Sequence, residues 1–477
     1  MTTSEPQVIG EGSYGCVHKP SLKCKGKRVV YKNKISKLMM NDDASKEMDE
    51  YNTIYDIDKK HKYYLGNPKI CDFNNELKSN LLAMRKCHEA VFHNPENLQK
   101  FSLLVMPDGG MDIEKFSEYM QNKPITESNI REVEVFFIEF HRIFMGLKLF
   151  HENGIIHHDL KPQNIVYDME KNRANFIDFG LMTSENILIN KSRRSANYAS
   201  VHHWSFPYET NFYNRNKYMD MCLKDKLERD IYYQELLISL LDNNNKKNEN
   251  DSMKETREKM KEASDALKNF FAYVVPESLT ESEYNEAIEI YLHELYTTLI
   301  HEYREEDYNK FLQKSMQTID VFGVGLACMF FLTHVKKFLS VPLEKELNDL
   351  FFQMVRPDFT KRIEVDSLVD QYEIILEKNG VLKKYNKTFR KHNLVNVKPA
   401  PPVIAKTIQE MKNKDLIALT TEERRKMSMQ PVPEPDRKEC PDGQIRDRRT
   451  NKCIPVRKPK QKTEKKPRQP RAPKNPK

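Results

Sequence analysis

His157-His158-Asp159-Leu160-Lys161-Pro162-Gln163-Asn164 is followed, nineteen residues after Asp159, by Asp178-Phe179-Gly180. Taken singly, either carboxylate reads as a helix cap or a surface charge. In this fixed order, with Lys161 and Asn164 between them, chance is a poor explanation. A glycine cluster stands upstream, Gly10-Glu11-Gly12-Ser13-Tyr14-Gly15-Cys16-Val17, entered from the apolar Val8-Ile9. Three glycines at this spacing also open dinucleotide-binding folds, where a helix follows and an acidic residue comes about 20 positions on. Here the β-branched run Arg28-Val29-Val30-Tyr31-Lys32 arrives instead. The opening therefore reads as strand, glycine turn and second strand, with a third strand at Arg28–Lys32. In that form backbone N–H groups cover nucleotide phosphates, and glycine is needed because side chains would block the approach.

Outward from these motifs the periodicity changes. From Ala44 to Ile57 it is helical, with Met48, Tyr51, Ile54 and Tyr55 on one face, and Phe101 to Met106 is an apolar strand ended by Pro107-Asp108-Gly109-Gly110. Arg131 to Glu152 repeats Val133, Phe136, Phe137, Phe140, Ile143, Phe144 and Leu147 at three- and four-residue steps, which predicts a buried amphipathic helix closed by Gly154. A small β-rich part followed by a larger α-rich part is an α+β, two-lobe plan. Residues 241–265, rich in Asn, Lys and Glu, are expected to be a mobile loop, and helical periodicity returns from Glu281 to Leu312. Pro399, Pro401 and Pro402 begin a polar tail.

The catalytic-loop and Asp-Phe-Gly motifs resemble those of eukaryotic-type serine/threonine protein kinases, with His158 in place of the family's Arg. The resemblance implies a kinase domain over residues 1–378, with an N-lobe to about 107, a C-lobe from 108 and an insertion at about 210–315. Residues 379–477 would be linker and tail. It implies ATP with Mg²⁺ or Mn²⁺ as cofactors and protein substrates. Asp159 would accept the proton of the substrate hydroxyl, Lys161 would add positive charge beside the transferred group, and Asn164 and Asp178 would hold metal. Ile9, Gly10, Gly12, Ser13, Gly15 and Val17 would cover the nucleotide, with Met106 as gatekeeper and Asp108 in the hinge. Lys32 would reach the phosphates, steadied by Glu50 or, as second choice, Glu47. Glu209 in Ser205-Phe206-Pro207-Tyr208-Glu209 would pair with Arg362, and Asp320-Val321-Phe322-Gly323-Val324-Gly325 would be the buried central helix. Since His158 removes an arginine that can clamp a phosphate, activity is expected not to require phosphorylation at Thr183, Ser192, Ser195 or Tyr198.

Of the net +8, the stretch from Arg457 to Lys477 contributes ten Lys or Arg against Glu464 alone. Such a tail attracts nucleic acid or an acidic protein, or is merely solvated. Eight scattered cysteines without a CxxC indicate neither zinc nor a redox motif, and no apolar run reaches the roughly 20 residues that cross a bilayer. The expectation is a soluble protein of a reducing, cytoplasmic compartment. Cys440-Pro441-Asp442-Gly443 through Cys453 resembles tail motifs of large cytoplasmic DNA viruses, which would make the host cytoplasm or the virion its setting. The alternative to an active kinase is a pseudokinase scaffold; a third reading directs phosphoryl transfer to a small molecule.

Overall fold

The computed structural model of the chain describes residues 5–12, 15–26, 28–194, 203–241, 251–275, 279–301 and 307–385, with 444–446 and 453–455. Residues 1–395 form one compact unit and 396–477 another. In the second unit Gln444–Arg446 and Cys453–Pro455 pair antiparallel, Ile445 opposite Ile454. Cys440 and the basic tail lie outside the described residues, as do Ser13, Ser195 and Tyr198.

Five antiparallel strands open the first unit: β1 (Gln7–Gly12), β2 (Gly15–Lys19), β3 (Lys34–Met40), β4 (Lys69–Asp72) and β5 (Phe101–Pro107), in the order β1-β2-β3-β5-β4. The third strand thus begins at Lys34, and the expectation of a strand at Arg28–Lys32 is corrected. Those residues are the returning limb of a loop. Val30 is 77% exposed, the Tyr31 hydroxyl accepts from the Cys24 N–H, and the chain reverses at Asn33 with φ of 54°. A strand must send alternate residues inward; Ser36 and Leu38 do so, and Leu38 stands opposite Cys16 of β2.

Two disulfides cross this lobe, Cys16–Cys87 and Cys24–Cys71. The partners are 71 and 47 residues apart in sequence, so only the folded sheet brings them together. Among the described residues these four cysteines are paired.

Helix α1 (Asn41–Ile57) follows β3 directly and buries Ala44, Glu47, Tyr51 and Ile54. The helical lobe comes after β5, with α2 (Lys78–Met84) preceding that strand. α3 (Ile113–Gln121) is capped by Asp112, whose carboxylate accepts from the Lys115 N–H, and α4 (Glu127–Glu152) by Thr126. The strand pair β7 (Ile155–Ile156) and β10 (Thr183–Ser184) and the three-stranded sheet β6 (Met111–Asp112), β8 (Ile165–Asp168), β9 (Arg173–Phe176) frame the segment between the two carboxylate motifs. Then come α5 (Glu185–Arg194), α6 (Arg215–Leu223), α7 (Lys226–Leu241), α8 (Asp251–Val274), α9 (Glu281–His301), α10 (Tyr308–Val335), α11 (Val341–Met354) and α12 (Val365–Lys378). Residues 251–265, expected to be loop, make up the greater part of α8, while 242–250 lie outside the described residues.

The stretch Tyr308–Phe338 is long and apolar enough to cross a membrane, yet 78% of its most apolar window is buried inside the protein. It is the central helix of this lobe. Gly323 shows how tightly: a Cβ there would lie 2.3 Å from the Leu160 carbonyl oxygen, so only glycine lets the loop of Asp159 rest on α10.

Candidate active site

Strand β3 carries Lys37 opposite Val17 of β2 and Leu104 of β5. Its ammonium donates to Glu47 Oε2 at 2.7 Å and to Asp178 Oδ1 at 2.9 Å. The pairing expected of Lys32 and Glu50 is therefore corrected to Lys37 and Glu47. Lys32 sits exposed in the turn before β3. Glu47 lies on the buried stripe of α1 with Tyr51 and Ile54, whereas Glu50 is turned off it. Glu50 Oε2 is buried without a hydrogen-bond partner. Burial, and then the charge of Glu47, pushes this carboxyl up to about 7. At Lys37 burial pulls the ammonium down, but Asp178 and Glu47 outweigh it and hold the group charged. At Asp178 burial acts upward, Lys37 outweighs it, and the carboxylate stays below its usual range.

Asp159 and its loop face this triad through Asn164 and Lys161. The Asn164 amide donates to Asp159 Oδ2 at 2.8 Å and to its carbonyl at 2.7 Å. Lys161 Nζ reaches both Asp159 oxygens at 3.0 Å. Below, Asp320 of α10 accepts from the backbone N–H of His157 and His158 at 2.6 and 2.9 Å, which fixes the loop. His158 and Asp178 both hold positive φ, 66° and 62°, a conformation that costs a non-glycine residue about 1–3 kcal/mol and that clusters at functional sites. Phe179 is fully buried, edge-on to Tyr51 at 5.2 Å and 5.0 Å from the His157 ring, so α1 and the Asp178 turn are packed as one piece.

Over the site, a Cβ at Gly10 or Gly12 would meet nothing within 4 Å, so the backbone there is open to a ligand, while one at Gly15 would press on Met39 and Lys37. Val17 is half-buried opposite Lys37, and Ile9, 38% exposed, offers its carbonyl to Lys115. Met106 is buried on β5 across from Ile35. The Asp108 carboxylate is occupied by Lys19 at 2.5 Å and by the Gly110 N–H, so it fastens the turn. The hard oxygen donors of Asp178 and Asn164 suit Mg²⁺ or Mn²⁺. The glycine backbone and the Lys37 ammonium suit the phosphates of a nucleotide.

Glu209 and Arg362 meet as expected: guanidinium nitrogens donate to the two carboxylate oxygens at 2.7 and 3.2 Å, with both side chains buried. Sequence reasoning missed the Lys37 triad and the role of α8. The Tyr273 hydroxyl of α8 accepts from Gln163 of the Asp159 loop at 2.8 Å and donates to Glu114 at 2.6 Å. The signal available for Lys37 was the alternation of Ser36 and Leu38 around it.

Residues 3–202 match the family described as protein kinase domain. The probable cell division control protein 7 homolog 2 of Encephalitozoon cuniculi is 36% identical over 61 residues, 13% of this chain and 16% of that protein. A putative mitogen-activated protein kinase 14C of Drosophila melanogaster is 33% identical over 92 residues, 19% and 24% of the two chains. A probable serine/threonine-protein kinase of Dictyostelium discoideum, fhkB, is 26% identical over 179 residues, 36% and 12%. The chain thus spans less than a quarter of the length of these curated relatives. With the β-sheet lobe followed by the helical lobe, the matches support a protein kinase, and the architecture is the two-lobe protein kinase fold.

Proposed function

We propose that the chain is an ATP-dependent protein kinase that phosphorylates serine or threonine. The observation that carries this reading is that Lys37, Glu47 and Asp178 form one hydrogen-bonded group and Asp159, Lys161 and Asn164 another, with Lys161 in electrostatic reach of Asp178.

A bound Mg²⁺–ATP supplies the transferable phosphoryl group and the divalent charge, with Asp178 and Asn164 as the residues that would hold the metal. Lys37, kept charged by its two carboxylates, binds phosphate oxygens, and the backbone N–H groups of the Gly10–Gly15 turn enclose them. Asp159 orients the substrate hydroxyl and accepts its proton at a carboxylate oxygen. Lys161 stabilises negative charge beside that oxygen. The Ser/Thr assignment rests on this Lys two positions after Asp159 and on the names of partial relatives. A viral source, a cytoplasmic or virion setting and a nucleic-acid or acidic partner for the tail belong to the proposal through composition and the Cys440–Cys453 segment alone.

The test is transfer of radiolabelled γ-phosphate from ATP, with Mg²⁺ or Mn²⁺, to casein and myelin basic protein. Transfer to Ser or Thr that vanishes in both Asp159→Asn and Asp178→Ala is the expected result. Absence of transfer by the wild type, with ATP still bound, would replace the kinase reading with a pseudokinase scaffold.

A further inference from the structure

Three donors that the phosphoryl-transfer chemistry does not use meet inside the sheet lobe. Cys16 and His18 stand two positions apart on β2, so their side chains leave the same face of the strand. Cys87 comes from the segment after α2. The three ligand atoms lie within 4.8 Å of one another, and all three residues are buried. The second disulfide, Cys24–Cys71, has no such third donor among the described residues. His18 is fully buried, with Nε2 3.9 Å from Cys16 Sγ and 3.7 Å from Cys87 Sγ. Its Nδ1 lies 3.2 Å from the Cys16 carbonyl oxygen, and Nε2 lies 3.3 Å from that of Ala83. An imidazole with one proton donates to only one of these oxygens. With the proton on Nδ1 and donated to Cys16, Nε2 turns a lone pair toward both sulfurs, the arrangement that metal-binding histidines take.

Distances decide what such a set can hold. A tetrahedral ion bonded at about 2.3 Å to sulfur and about 2.0 Å to nitrogen needs those ligand atoms roughly 3.6 Å apart. Both nitrogen–sulfur separations already approach that value. Only the two sulfurs, joined in the disulfide, have to part. Glu11, opposite Cys16 on β1, spends its carboxylate on the N–H groups of His88 and Glu89, so it does not join the set. The fourth position falls to the Ala83 carbonyl oxygen or to water. Two thiolates and an imidazole select a borderline-soft cation such as Zn²⁺ over the Mg²⁺ that suits the carboxylate site. The sequence carried no signal for this, because Cys87 is 71 positions from Cys16.

We propose that the reduced chain binds Zn²⁺ through Cys16, His18 and Cys87, at a site that takes the place of the Cys16–Cys87 disulfide. A phosphine reductant cleaves the S–S bond with one water and leaves as phosphine oxide, giving two thiols. Zn²⁺ then displaces the two thiol protons to solvent and forms two Zn–S bonds and one Zn–N bond. The consequence lies at the glycine turn. Cys16 follows Gly15 directly, and Cys87 precedes the two residues whose N–H groups hold Glu11, so the metal and the disulfide fasten the same two chain segments. Reduction without metal releases that fastening; reduction with Zn²⁺ keeps it.

The experiment uses the full chain, reduced with a phosphine and freed of metal, with Co²⁺ as a coloured stand-in for Zn²⁺. Thiolate-to-cobalt charge-transfer bands and tetrahedral ligand-field bands are expected in the reduced chain, bleached on addition of Zn²⁺ and absent from the oxidised chain. Cys16→Ser with Cys87→Ser is expected to abolish them, and Cys24→Ser with Cys71→Ser to keep them. His18→Gln is expected to weaken Zn²⁺ binding at least about a hundredfold in competition with a chromophoric chelator. In urea unfolding, Zn²⁺ is expected to raise the midpoint of the reduced wild type and not that of the oxidised one, a readout that needs no variant to fold. Absence of the bands from the reduced wild type, bands that survive the loss of both Cys16 and Cys87, wild-type Zn²⁺ binding by His18→Gln, or a reduced midpoint that Zn²⁺ leaves in place would each overturn the site. None of these measurements depends on phosphate transfer.

Discussion

Lys37 and Lys32 differ by five positions, and strand register decides between them. Lys37 stands between Ser36 and Leu38, both buried, and its own side chain crosses to Glu47 and Asp178. Lys37→Ala is expected to lower γ-phosphate transfer by about two orders of magnitude, the scale on which removal of one preorganised charge acts. Lys32→Ala is expected to leave it within about twofold. Side-by-side initial rates check this, and equal losses would return the role to Lys32. Asp159, Asn164 and Asp178 could be singled out because their two motifs lie within one short stretch, residues 157–180. The lysine could not, since the Pro20–Asn33 loop adds length that no local pattern encodes, and Val29-Val30-Tyr31 has the composition of a strand without its burial. Glu50 gives a second prediction. Its carboxyl is raised from 4.5 to about 7 in the folded chain, so between those values the folded state binds the proton that the unfolded state has released. Stability therefore falls as pH rises through that window, and the penalty is complete above it. Glu50→Gln is expected to gain thermal stability relative to wild type from pH 5 to about pH 8, read by Tm along a pH series; a constant difference would exclude Glu50 as the source.

At the scale of elements, α4 was readable from its apolar stripe, whereas α10 was expected only through the resemblance carried by Asp320–Gly325. α8 was not readable, because its Asn- and Lys-rich approach has the composition of solvent-exposed chain; the helical signal begins at Met260 and runs through Ala263, Leu267, Phe270 and Val274. The segment after Asp178 has its own device. His158, where an arginine would clamp a phosphate, stacks on Phe206, and Ser192 is fully buried in α5 with no room exposed for modification. Thr183→Ala and Ser192→Ala are accordingly expected to retain transfer activity, whereas Phe206→Ala is expected to lower it by about tenfold, as loss of a positioning contact does. Activity lost in Thr183→Ala and restored by Thr183→Glu would refute this. The glycine turn is held from the other side. Cys87 is bonded to Cys16, and the next two residues, His88 and Glu89, donate their backbone N–H groups to Glu11 within the turn at 2.7 and 2.9 Å. With its ends 71 positions apart in sequence, the bond restricts the unfolded chain, and Cys16→Ser with Cys87→Ser is expected to cost about 2–4 kcal/mol in urea unfolding without reductant. The same double variant in reductant is expected to match the reduced wild type.

Across the first compact unit, distant parts meet at a buried ion pair. Glu209 lies between α5 and α6, Arg362 precedes α12, and Ser315 and Thr318 of α10 add hydrogen bonds to them. The insertion joins the same junction: Arg356, whose carbonyl accepts from Arg362, donates to Glu294 of α9 at 2.8 Å. The long helical run that follows Glu209 thus closes on its own start, because α9 returns to the junction of Glu209 and Arg362. The pair itself was legible from its motifs, but the way the insertion closes on it was not, since Arg356–Glu294 spans 62 residues with no local trace. A buried carboxylate–guanidinium pair contributes little against a well-packed apolar substitute, but either member left alone is an uncompensated charge. Arg362→Ala and Glu209→Ala are each expected to lose about 3–5 kcal/mol of unfolding free energy, and the double variant less than the sum of the two. A denaturant series on all four proteins gives the coupling directly. Additive losses would mean that the two residues act separately, with Arg362 held chiefly by the Arg356 carbonyl rather than by Glu209.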